Sequence, residues 1–380
     1  MKIAIFSHSY LPKIGGVQFL VRDLINCLNE ETNNEIILFA PYYSKNDKKM
    51  EIIFPRIKIY RIFNPNNFIS VIIGTINFLK IVKKETPEII HGQTLFIDGF
   101  FCYIVKKLLG VPYVLSTQGE LNFLKKKKVL FKDKLMLKLS YIFFKNSKYL
   151  ITPEKYFYNV LRKLFRNKKK IKLINDYIYI SKKDLKQINE KDLLKKYGIE
   201  KNKYFIYMSR LKKEKGIYIL LKAIENIRNI LEEKGIRLIV FGEGDEKKNI
   251  INYIRKKSLD NIVIYGGVVF SPEKWILLKN ARYSILPSFF ETQPISIIES
   301  FFVNTPVIGS DIFEIKAMIK NKILGYTFEN KNNKDLSRIL LKAIKGNNKL
   351  VNDNKKCFKE ESKKYNLENK LDKFLELYRN

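Results

Sequence analysis

Two glutamates lie eight residues apart around a predicted helix start. Glu291 falls in the loop that follows an apolar run ending at Pro287, and Glu299 lies a little over one turn into the helix that Pro294 opens. This spacing lets both carboxylates face the same crevice, where they would accept hydrogen bonds. A pair of glutamates at this distance also arises by chance, so its weight comes from the setting after a strand and across a helix start.

An arginine and a lysine follow another strand-like run, Tyr204–Met208. Arg210 lies just past the end of that strand, and Lys215 lies just before the next predicted helix. A planar guanidinium and a compact ammonium group together suit a diphosphate. Lys212 and Lys213, between them, are more simply explained as solvated surface lysines of a basic chain.

Glycines stand in three further turns between strands and helices. Gly15 and Gly16 precede an amphipathic helix, where tight turning brings backbone N–H groups close to a phosphate. Gly242 follows a strand, and Val268 follows a pair of glycines at another strand end, where bare backbone can hydrogen-bond a flat base edge. A Gly-Gly pair also fits a simple tight turn.

These turns recur because apolar, strand-like runs alternate with helical stretches along the whole chain. Buried apolar strands between helices predict parallel sheets covered on both faces, an α/β fold. Ligands of such sheets bind at the carboxyl ends of the strands, so the residues above are expected near one another. The predicted strands are Ile3–Phe6, Glu35–Ala40, Glu88–His91, Tyr113–Ser116, Tyr204–Met208, Arg237–Phe241, Ile262–Tyr265, Tyr283–Leu286 and Pro306–Ile308, and the helices of the second half lie near 216–231, 245–257, 272–280 and 294–303.

A shift in composition divides the chain. Residues 161–172, LRKLFRNKKKIK, carry seven basic residues and no acidic one. A length of 380 residues also favours two domains. We therefore predict a Rossmann-like domain over residues 1–180 and a second over 181–360, with a helix at about 360–380 that can pack back on the first domain.

The charge balance points to an anionic partner. Lys and Arg total 72 against 38 acidic residues, a formal net charge of +34. Nucleic acid, a membrane surface and a phosphorylated substrate all fit such an excess, and codon usage in an AT-rich genome explains part of it. No recognisable nucleic-acid module is visible and the lysines are spread along the chain, so we expect no nucleic-acid partner.

Several other classes of protein are excluded. Three cysteines without paired spacing argue against a disulfide scaffold and against a cysteine-rich zinc site. The first residues have strand character and no signal-peptide apolar region. The uncharged stretch over 67–79 is too short to span a bilayer. A cytoplasmic protein is expected, and any membrane contact would be made from the surface.

In order and spacing, these motifs resemble the GT-B glycosyltransferases, specifically the retaining family 4 (group 1) enzymes. The matching segments are YLPKIGGVQFLVRDL, EIIHGQ, VLSTQGEL, SRLKKEKGIYILLKAI, VFGEGDE, YGGVV and PSFFETQPISIIESFFVNTPVIGSD, which run almost end to end. The resemblance implies two doubly wound Rossmann-like domains that face a cleft, with a UDP- or GDP-sugar bound by the C-terminal one.

The resemblance also implies roles for the residues of that second domain. Arg210 and Lys215 would neutralise the donor diphosphate and the charge that grows on the leaving group. Glu299 would accept hydrogen bonds from the ribose, and Glu291 would hold hydroxyls of the transferred sugar.

The remaining donor contacts implied by the resemblance are made by backbone. The chain around Ser296 and Ile297 would face the phosphate, and Gly242 and Val268 would also border the donor. Gly15 and Gly16 of the first domain would close over the diphosphate. The resemblance also implies that no metal cofactor is needed, which fits a sequence with no Asp-x-Asp motif placed between strands to hold a divalent cation.

Gln118 is a departure from the family. It stands where many relatives have a histidine at the end of the fourth strand of the first domain. Glutamine cannot titrate but still donates and accepts hydrogen bonds, which puts a proton-transfer role there in question. Under the resemblance, the leaving phosphate itself takes the acceptor proton.

The acceptor is a glycan or a lipid-linked molecule in the relatives of this kind. Residues 124–131 open a stretch rich in lysine and large apolar side chains that continues to Phe144. Such a segment can lie on an anionic bilayer, giving peripheral contact with the cytoplasmic face, or be an ordinary helix with solvated lysines. Two alternatives to a transferase stay open: a GT-B-fold epimerase or phosphorylase, and a basic nucleic-acid-binding protein.

Overall fold

The computed structural model describes residues 1–380 except 14, 45, 119, 122–130, 166, 181–187, 292 and 347–354, and at 68 and 131–134 it describes the backbone alone. The chain forms two compact units. Unit 1 comprises Met1–Tyr179 and Asn366–Asn380, and unit 2 comprises Ile180–Tyr365. Within the described part of the chain, no helix combines the length and the apolar composition needed to cross a bilayer.

Unit 1 is an α/β layer structure in which helices cover a mostly parallel sheet. Its elements are β1 Lys2–Phe6, α1 Gly16–Glu31, β2 Glu35–Pro41, β3 Met50–Phe54, β4 Ile57–Phe63, α2 Phe68–Glu85, β5 Ile89–Gly92, α3 Ile97–Leu109, β6 Tyr113–Ser116, α4 Phe131–Asn146, β7 Leu150–Thr152, α5 Lys155–Leu164 and β8 Ile171–Leu173.

The sheet of unit 1 has the order β3-β4-β2-β1-β5-β6-β7-β8 in the described residues. All neighbouring pairs are parallel except β3 and β4, which pair antiparallel. β1 lies inside the sheet, and its Phe6 ring stacks 4.7 Å from Phe101 and lies 4.8 Å from Phe78. This packing fixes the end of β1, from which His8 projects.

Unit 2 repeats the alternation of strand and helix. Its elements are α6 Glu190–Lys196, β9 Tyr204–Met208, α7 Ile217–Asn226, α8 Arg228–Lys234, β10 Arg237–Phe241, α9 Lys247–Lys256, β11 Val263–Gly267, α10 Glu273–Asn280, β12 Tyr283–Leu286, α11 Ile295–Phe302, β13 Val307–Ser310, α12 Phe313–Lys316, β14 Gly325–Phe328, α13 Asn333–Lys345 and α14 Lys355–Lys363. The last helix of the chain, α15 Glu368–Arg379, belongs to unit 1.

The sheet of unit 2 is parallel throughout its described strands, in the order β11-β10-β9-β12-β13-β14. The order reverses beside β9, because β10 lies on one side of it and β12 on the other. Such a reversal opens a crevice at the carboxyl ends of the strands, the usual ligand site of doubly wound sheets. The predicted α/β fold class, two parallel-sheet domains, is confirmed.

Some element boundaries differ from the prediction. The helix predicted over 216–231 is two helices, because the chain departs from helical geometry at Ile227 (φ −115°). β11 runs on to Gly267 instead of ending at Tyr265, and β13 covers Val307–Ser310. The segment 124–130, predicted as part of a membrane-contacting stretch, lies outside the described residues.

Candidate functional site

The loops after β9, β10 and β12 are joined to one another by backbone hydrogen bonds. The Leu211 N–H donates to the Glu243 carbonyl at 2.9 Å, and the Phe289 N–H donates to the Glu214 carbonyl at 2.9 Å. The crevice at the reversal of the sheet is therefore bordered by loops of defined conformation. Most of the predicted site residues of unit 2 lie in or beside these loops.

A close ion pair connects the loop after β9 with the loop after β12. Lys215 ends a short 3₁₀ turn, Lys213–Lys215, and its Nζ donates to Glu291 Oε1 at 2.6 Å. The two side chains are only 12 % and 11 % exposed. Two opposite charges in so enclosed a place hold each other in position, and removing either leaves the other uncompensated.

Arg210 differs from Lys215 in its surroundings. It follows β9 directly and is exposed, and its guanidinium makes no ion pair among the described residues. An arginine in this state is available to an anion from solution.

A second ion pair holds the other glutamate of the pair predicted to share a crevice. Lys274 of α10 donates from Nζ to Glu299 Oε1 of α11 at 2.7 Å, and both side chains are buried. The same Nζ lies 4.1 Å from the centroid of the Trp275 ring, a cation–π contact. Glu291 and Glu299 are therefore each positioned by a lysine of their own.

Two glycines of the site allow the loops to approach closely. Gly216, at φ +71°, lies against Pro287, and a Cβ there would overlap the Pro287 carbonyl oxygen. Gly242, at φ +149°, lies against Ser209 in the same way. Both positions require glycine for the backbone angle and for the contact distance.

The remaining predicted donor contacts lie at strand and helix ends of unit 2. Val268 follows β11 and is partly buried. Ser296 and Ile297 form the first turn of α11, where the Ile297 N–H donates to the Pro294 carbonyl at 3.0 Å. The helix thus begins at the position that Pro294 predicts.

Three predicted site residues lie in unit 1. Gly15 and Gly16 stand at the start of α1, where the Gly15 carbonyl accepts the N–H of Phe19 at 3.2 Å. Gln118 follows β6, and its backbone N–H donates to Glu120 Oε2 at 2.6 Å. The side chain of Gln118 makes no hydrogen bond within the described residues.

Unit 1 also gathers titratable groups at the carboxyl end of its sheet. His8 Nδ1 lies 2.9 Å from Asp98 Oδ1, which also accepts the His8 backbone N–H at 3.0 Å. Burial opposes the charge of His8, but the attraction of Asp98 and the hydrogen bond to it outweigh burial and raise the pKa of His8. Burial likewise raises the pKa of Glu120 to about 7.

Sequence reasoning missed Lys274, Asp98 and Glu120. A signal existed for Lys274: it lies three and four residues before Leu277 and Leu278, so it shares their helix face, and both leucines are buried. A lysine on a buried face needs a partner, which here is Glu299.

In the described part of the chain, no three His, Cys, Asp or Glu side chains group closely enough to hold a metal ion.

Two family models match the chain, one to each unit. The model for Glycosyltransferase Family 4 matches residues 14–178, and the model for Glycosyl transferases group 1 matches residues 189–364. The chain belongs to the family 4 glycosyltransferases. The predicted enzyme class is therefore confirmed.

This glycosyltransferase aligns with related proteins over most of its length. It is 25 % identical to the alpha-monoglucosyldiacylglycerol synthase of Streptococcus pneumoniae, over 90 % of this chain and 78 % of that protein. It is 27 % identical to the UDP-Gal:alpha-D-GlcNAc-diphosphoundecaprenol alpha-1,3-galactosyltransferase of Escherichia coli, over 80 % of this chain and 78 % of that protein.

Solved structures share the fold. Sucrose-phosphate synthase from Thermosynechococcus elongatus superposes with a TM-score of 0.78 at 16 % identity, covering 100 % of this chain and 98 % of that one. HepE from Anabaena, in complex with UDP and glucose, superposes with a TM-score of 0.73 at 15 % identity, covering 99 % of each chain. The fold of the glycosyltransferase is GT-B.

Proposed function

We propose that this glycosyltransferase moves a sugar from a UDP- or GDP-sugar to a glycan or lipid-linked acceptor, with retention of anomeric configuration and without a metal ion. The observation that carries the proposal is the contact of Lys215 with Glu291, at 2.6 Å, in the crevice of unit 2. It places a cation suited to phosphate beside a carboxylate suited to sugar hydroxyls, which are adjacent groups of a nucleotide-sugar.

The cationic side chains support the donor assignment and metal independence. Lys215 and Arg210 would bind the diphosphate and stabilise the negative charge that develops as the sugar leaves. Positive charge would thus come from side chains, where other enzymes place a divalent cation. The departing phosphate would take the proton of the acceptor hydroxyl on the same face of the sugar, which gives retention.

The buried pair of Lys274 and Glu299 supports a ribose site. Lys274 bonds Oε1 of Glu299 and so orients the carboxylate, whose other oxygen would accept a ribose hydroxyl. Carboxylates select hydroxyl-rich ligands because each oxygen accepts more than one hydrogen bond. Gly242 and Val268, at neighbouring strand ends, would border the nucleotide with backbone groups.

The names of two relatives support the acceptor class. One acts as an alpha-monoglucosyldiacylglycerol synthase and the other on a diphosphoundecaprenol substrate, both lipids. An acceptor of this kind places the enzyme at a membrane surface, and we propose peripheral association with the cytoplasmic face. The excess of basic residues favours an anionic bilayer.

Two isosteric variants test the donor site. Glu291→Gln should lower sugar transfer about 10²–10³-fold without weakening nucleoside diphosphate binding, because Glu291 is assigned to the sugar and Lys215 to the diphosphate. Glu299→Gln should instead weaken nucleoside diphosphate binding, because Glu299 is assigned to the ribose. The measurements are transfer from UDP- and GDP-sugars, with and without EDTA, and calorimetric titration with UDP and GDP.

The matched control is Glu225→Gln, which removes a carboxylate paired with Lys257 at 2.8 Å on another part of unit 2. It should change neither transfer nor nucleotide binding. The donor assignment fails if neither glutamate variant differs from the control. Inversion of the anomeric centre in the product would contradict the proposed retention. Loss of transfer in EDTA would contradict metal independence. Phosphate-dependent release of a sugar phosphate would indicate a phosphorylase.

A further inference from the structure

Lys274 is a charged residue in the interior of unit 2. It is 5 % exposed, and residues 275–278, which follow it on α10, are buried as well. A methionine or leucine at this position would pack there without the cost of taking an ammonium group out of water. Exchanging a buried ion pair for apolar side chains of similar volume is often neutral or stabilising. Stability alone therefore does not explain a lysine at this position.

The ammonium group of Lys274 is held by two groups. Its Nζ donates to Glu299 Oε1 at 2.7 Å and lies 4.1 Å from the centroid of the Trp275 ring. The indole is itself anchored, because Trp275 Nε1 donates to Ser271 Oγ at 3.0 Å. A cation that contacts both a ring and a carboxylate has little freedom, so Oε1 of Glu299 has a defined position.

The helices that carry this ion pair are also joined by a hydrogen bond. Thr305, which follows α11, donates from Oγ1 to the Leu278 carbonyl of α10 at 2.6 Å. Both residues are buried. The separation of Lys274 and Glu299 is therefore set by two helices in contact as well as by the attraction between the charges.

The second oxygen of Glu299 is left for a ligand. Oε2 has no hydrogen-bond partner among the described residues, whereas Oε1 accepts from Lys274. The Glu299 side chain is 12 % exposed, so a small part of it is open to solvent. A carboxylate in such a place needs a cation or hydrogen-bond donors instead of the water it has lost, and it accepts from hydroxyl groups. Oε2 therefore suits a ligand with neighbouring hydroxyl groups.

We propose that Lys274 is a positioning residue for the nucleotide: acting through Glu299, it makes unit 2 select a ribose with both hydroxyls over a deoxyribose. This inference rests on the ribose role proposed for Glu299 above. In this arrangement Lys274 does not contact the ligand. It holds Oε1 and compensates the charge of the carboxylate, and the 2′- and 3′-hydroxyls of the ribose donate to Oε2.

Calorimetric titration of the full chain with UDP, GDP and the 2′,3′-dideoxy form of each tests the role of Lys274. The native protein should bind the ribose form of its nucleotide about tenfold more tightly than the dideoxy form, because hydrogen bonds to a charged acceptor are lost with the hydroxyls. Lys274→Met should raise the Kd of the ribose form about tenfold and leave that of the dideoxy form within about twofold. Equal weakening of both forms would indicate a structural role only and would overturn the proposal.

Lys257→Met is the matched control, because it removes the lysine that donates to Glu225 at 2.8 Å elsewhere in unit 2, and it should change neither Kd. The double variant Lys274→Met/Glu299→Gln removes both charges together, so it folds without an uncompensated charge in the interior. Because Lys274 acts through the Glu299 carboxylate, the double variant should show the same ratio of ribose to dideoxy affinity as Glu299→Gln alone, within about twofold. A separate effect of Lys274→Met on that ratio would overturn the proposal.

The same titrations separate failure of this inference from failure of the proposed function. An equal preference for the ribose form in Lys274→Met and in the native protein would overturn the positioning role of Lys274 and leave the proposed function standing. A native protein that binds neither UDP nor GDP would overturn the proposed donor, and the ribose role of Glu299 with it.

Discussion

His91 is a single residue whose protonation state the surrounding structure determines. It is completely buried in unit 1, with Nδ1 2.8 Å from the Tyr378 hydroxyl and Nε2 2.8 Å from Ser116 Oγ. Burial lowers the pKa of His91 to about 3. Both ring nitrogens are therefore engaged by hydroxyl groups, and a consequence for stability follows.

The contribution of His91 to the stability of unit 1 should decrease as the pH falls below about 6.5, while Glu120, whose pKa burial raises to about 7, contributes in the opposite direction. Between pH 6.5, the ordinary pKa of histidine, and about 3, the unfolded chain binds a proton at His91 that the folded chain does not. The contribution of His91 to the free energy of unfolding therefore falls by about 1.4 kcal/mol per pH unit, or about 2 kcal/mol from pH 6.5 to 5. Urea unfolding followed by hydrogen exchange of the β5 and β6 amides at several pH values measures the free energy of unfolding of unit 1.

The replacement His91→Gln provides the comparison, because an amide can bond both hydroxyls but does not titrate. The stability of this variant relative to the native protein should therefore rise as the pH falls over the same interval. His8 and Glu120, whose raised folded pKa values stabilise unit 1 at low pH, titrate in both proteins and cancel in this comparison. Trp275, the single tryptophan, lies in unit 2, so unfolding of unit 2 followed by its fluorescence should be the same in the variant and the native protein. Equal pH dependence of the stability of unit 1 in the two proteins would contradict the assignment to His91.

The turn between β9 and α7 shows how an element, and not a single side chain, positions the donor site. Gly216 forms the start of α7 at φ +71°, in contact with Pro287 after β12. This contact sets the distance between the loop that carries Lys215 and the loop that carries Glu291. A side chain at position 216 would push these loops apart.

Gly216→Ala should therefore reduce both stability and transfer activity. An L-residue in the left-handed region costs roughly 1–2 kcal/mol, and the overlap with Pro287 adds to that cost. Gly235→Ala is the matched control, because Gly235 has φ +60° and no atom within 4 Å of an added Cβ. Thermal unfolding should show a smaller loss of stability for Gly235→Ala, from backbone strain alone, and transfer kinetics should show no loss of activity for it. An equal loss of activity in both variants would contradict the role of the contact between Gly216 and Pro287.

The strands that carry the donor site were predictable from local sequence. Tyr204–Met208, Arg237–Phe241 and Tyr283–Leu286 have the predicted bounds in the structure. Each is a short apolar run bounded by turn residues such as glycine or proline, so its hydrophobic pattern and its ends are both visible in the sequence. The loops that follow these strands lie close together because the carboxyl ends of neighbouring parallel strands meet at one edge of the sheet.

Other features depend on pairings that no local pattern contains. β3 pairs antiparallel with β4 and is largely exposed, so its residues show no buried alternation to predict it. Lys274 reaches Glu299 across 25 residues, and His8 reaches Asp98 across 90. Such contacts are decided by how helices pack on a sheet.

The path of the whole chain ties the last helix to the first unit. The chain leaves unit 1 after Tyr179 and returns at Asn366, where the Leu367 N–H donates to the Ile178 carbonyl at 3.1 Å. α15 then completes the core of unit 1. The stability of unit 1 therefore depends on residues at the far end of the sequence.

Phe374 makes this dependence measurable. Its ring is buried in unit 1, 5.5 Å from the ring of Tyr177 and 6.1 Å from that of His91. Phe374→Ala should lower the free energy of unfolding of unit 1 by about 3–5 kcal/mol, the usual cost of deleting a buried phenyl ring. Lys373→Ala, at the exposed neighbouring position of the same helix, should change it by less than about 0.5 kcal/mol. Hydrogen exchange resolved along the chain should locate the lost protection of Phe374→Ala in β1, β5 and β6, while β9 to β12 keep theirs. Loss confined to unit 2, or spread equally over both units, would contradict the assignment of α15 to the core of unit 1.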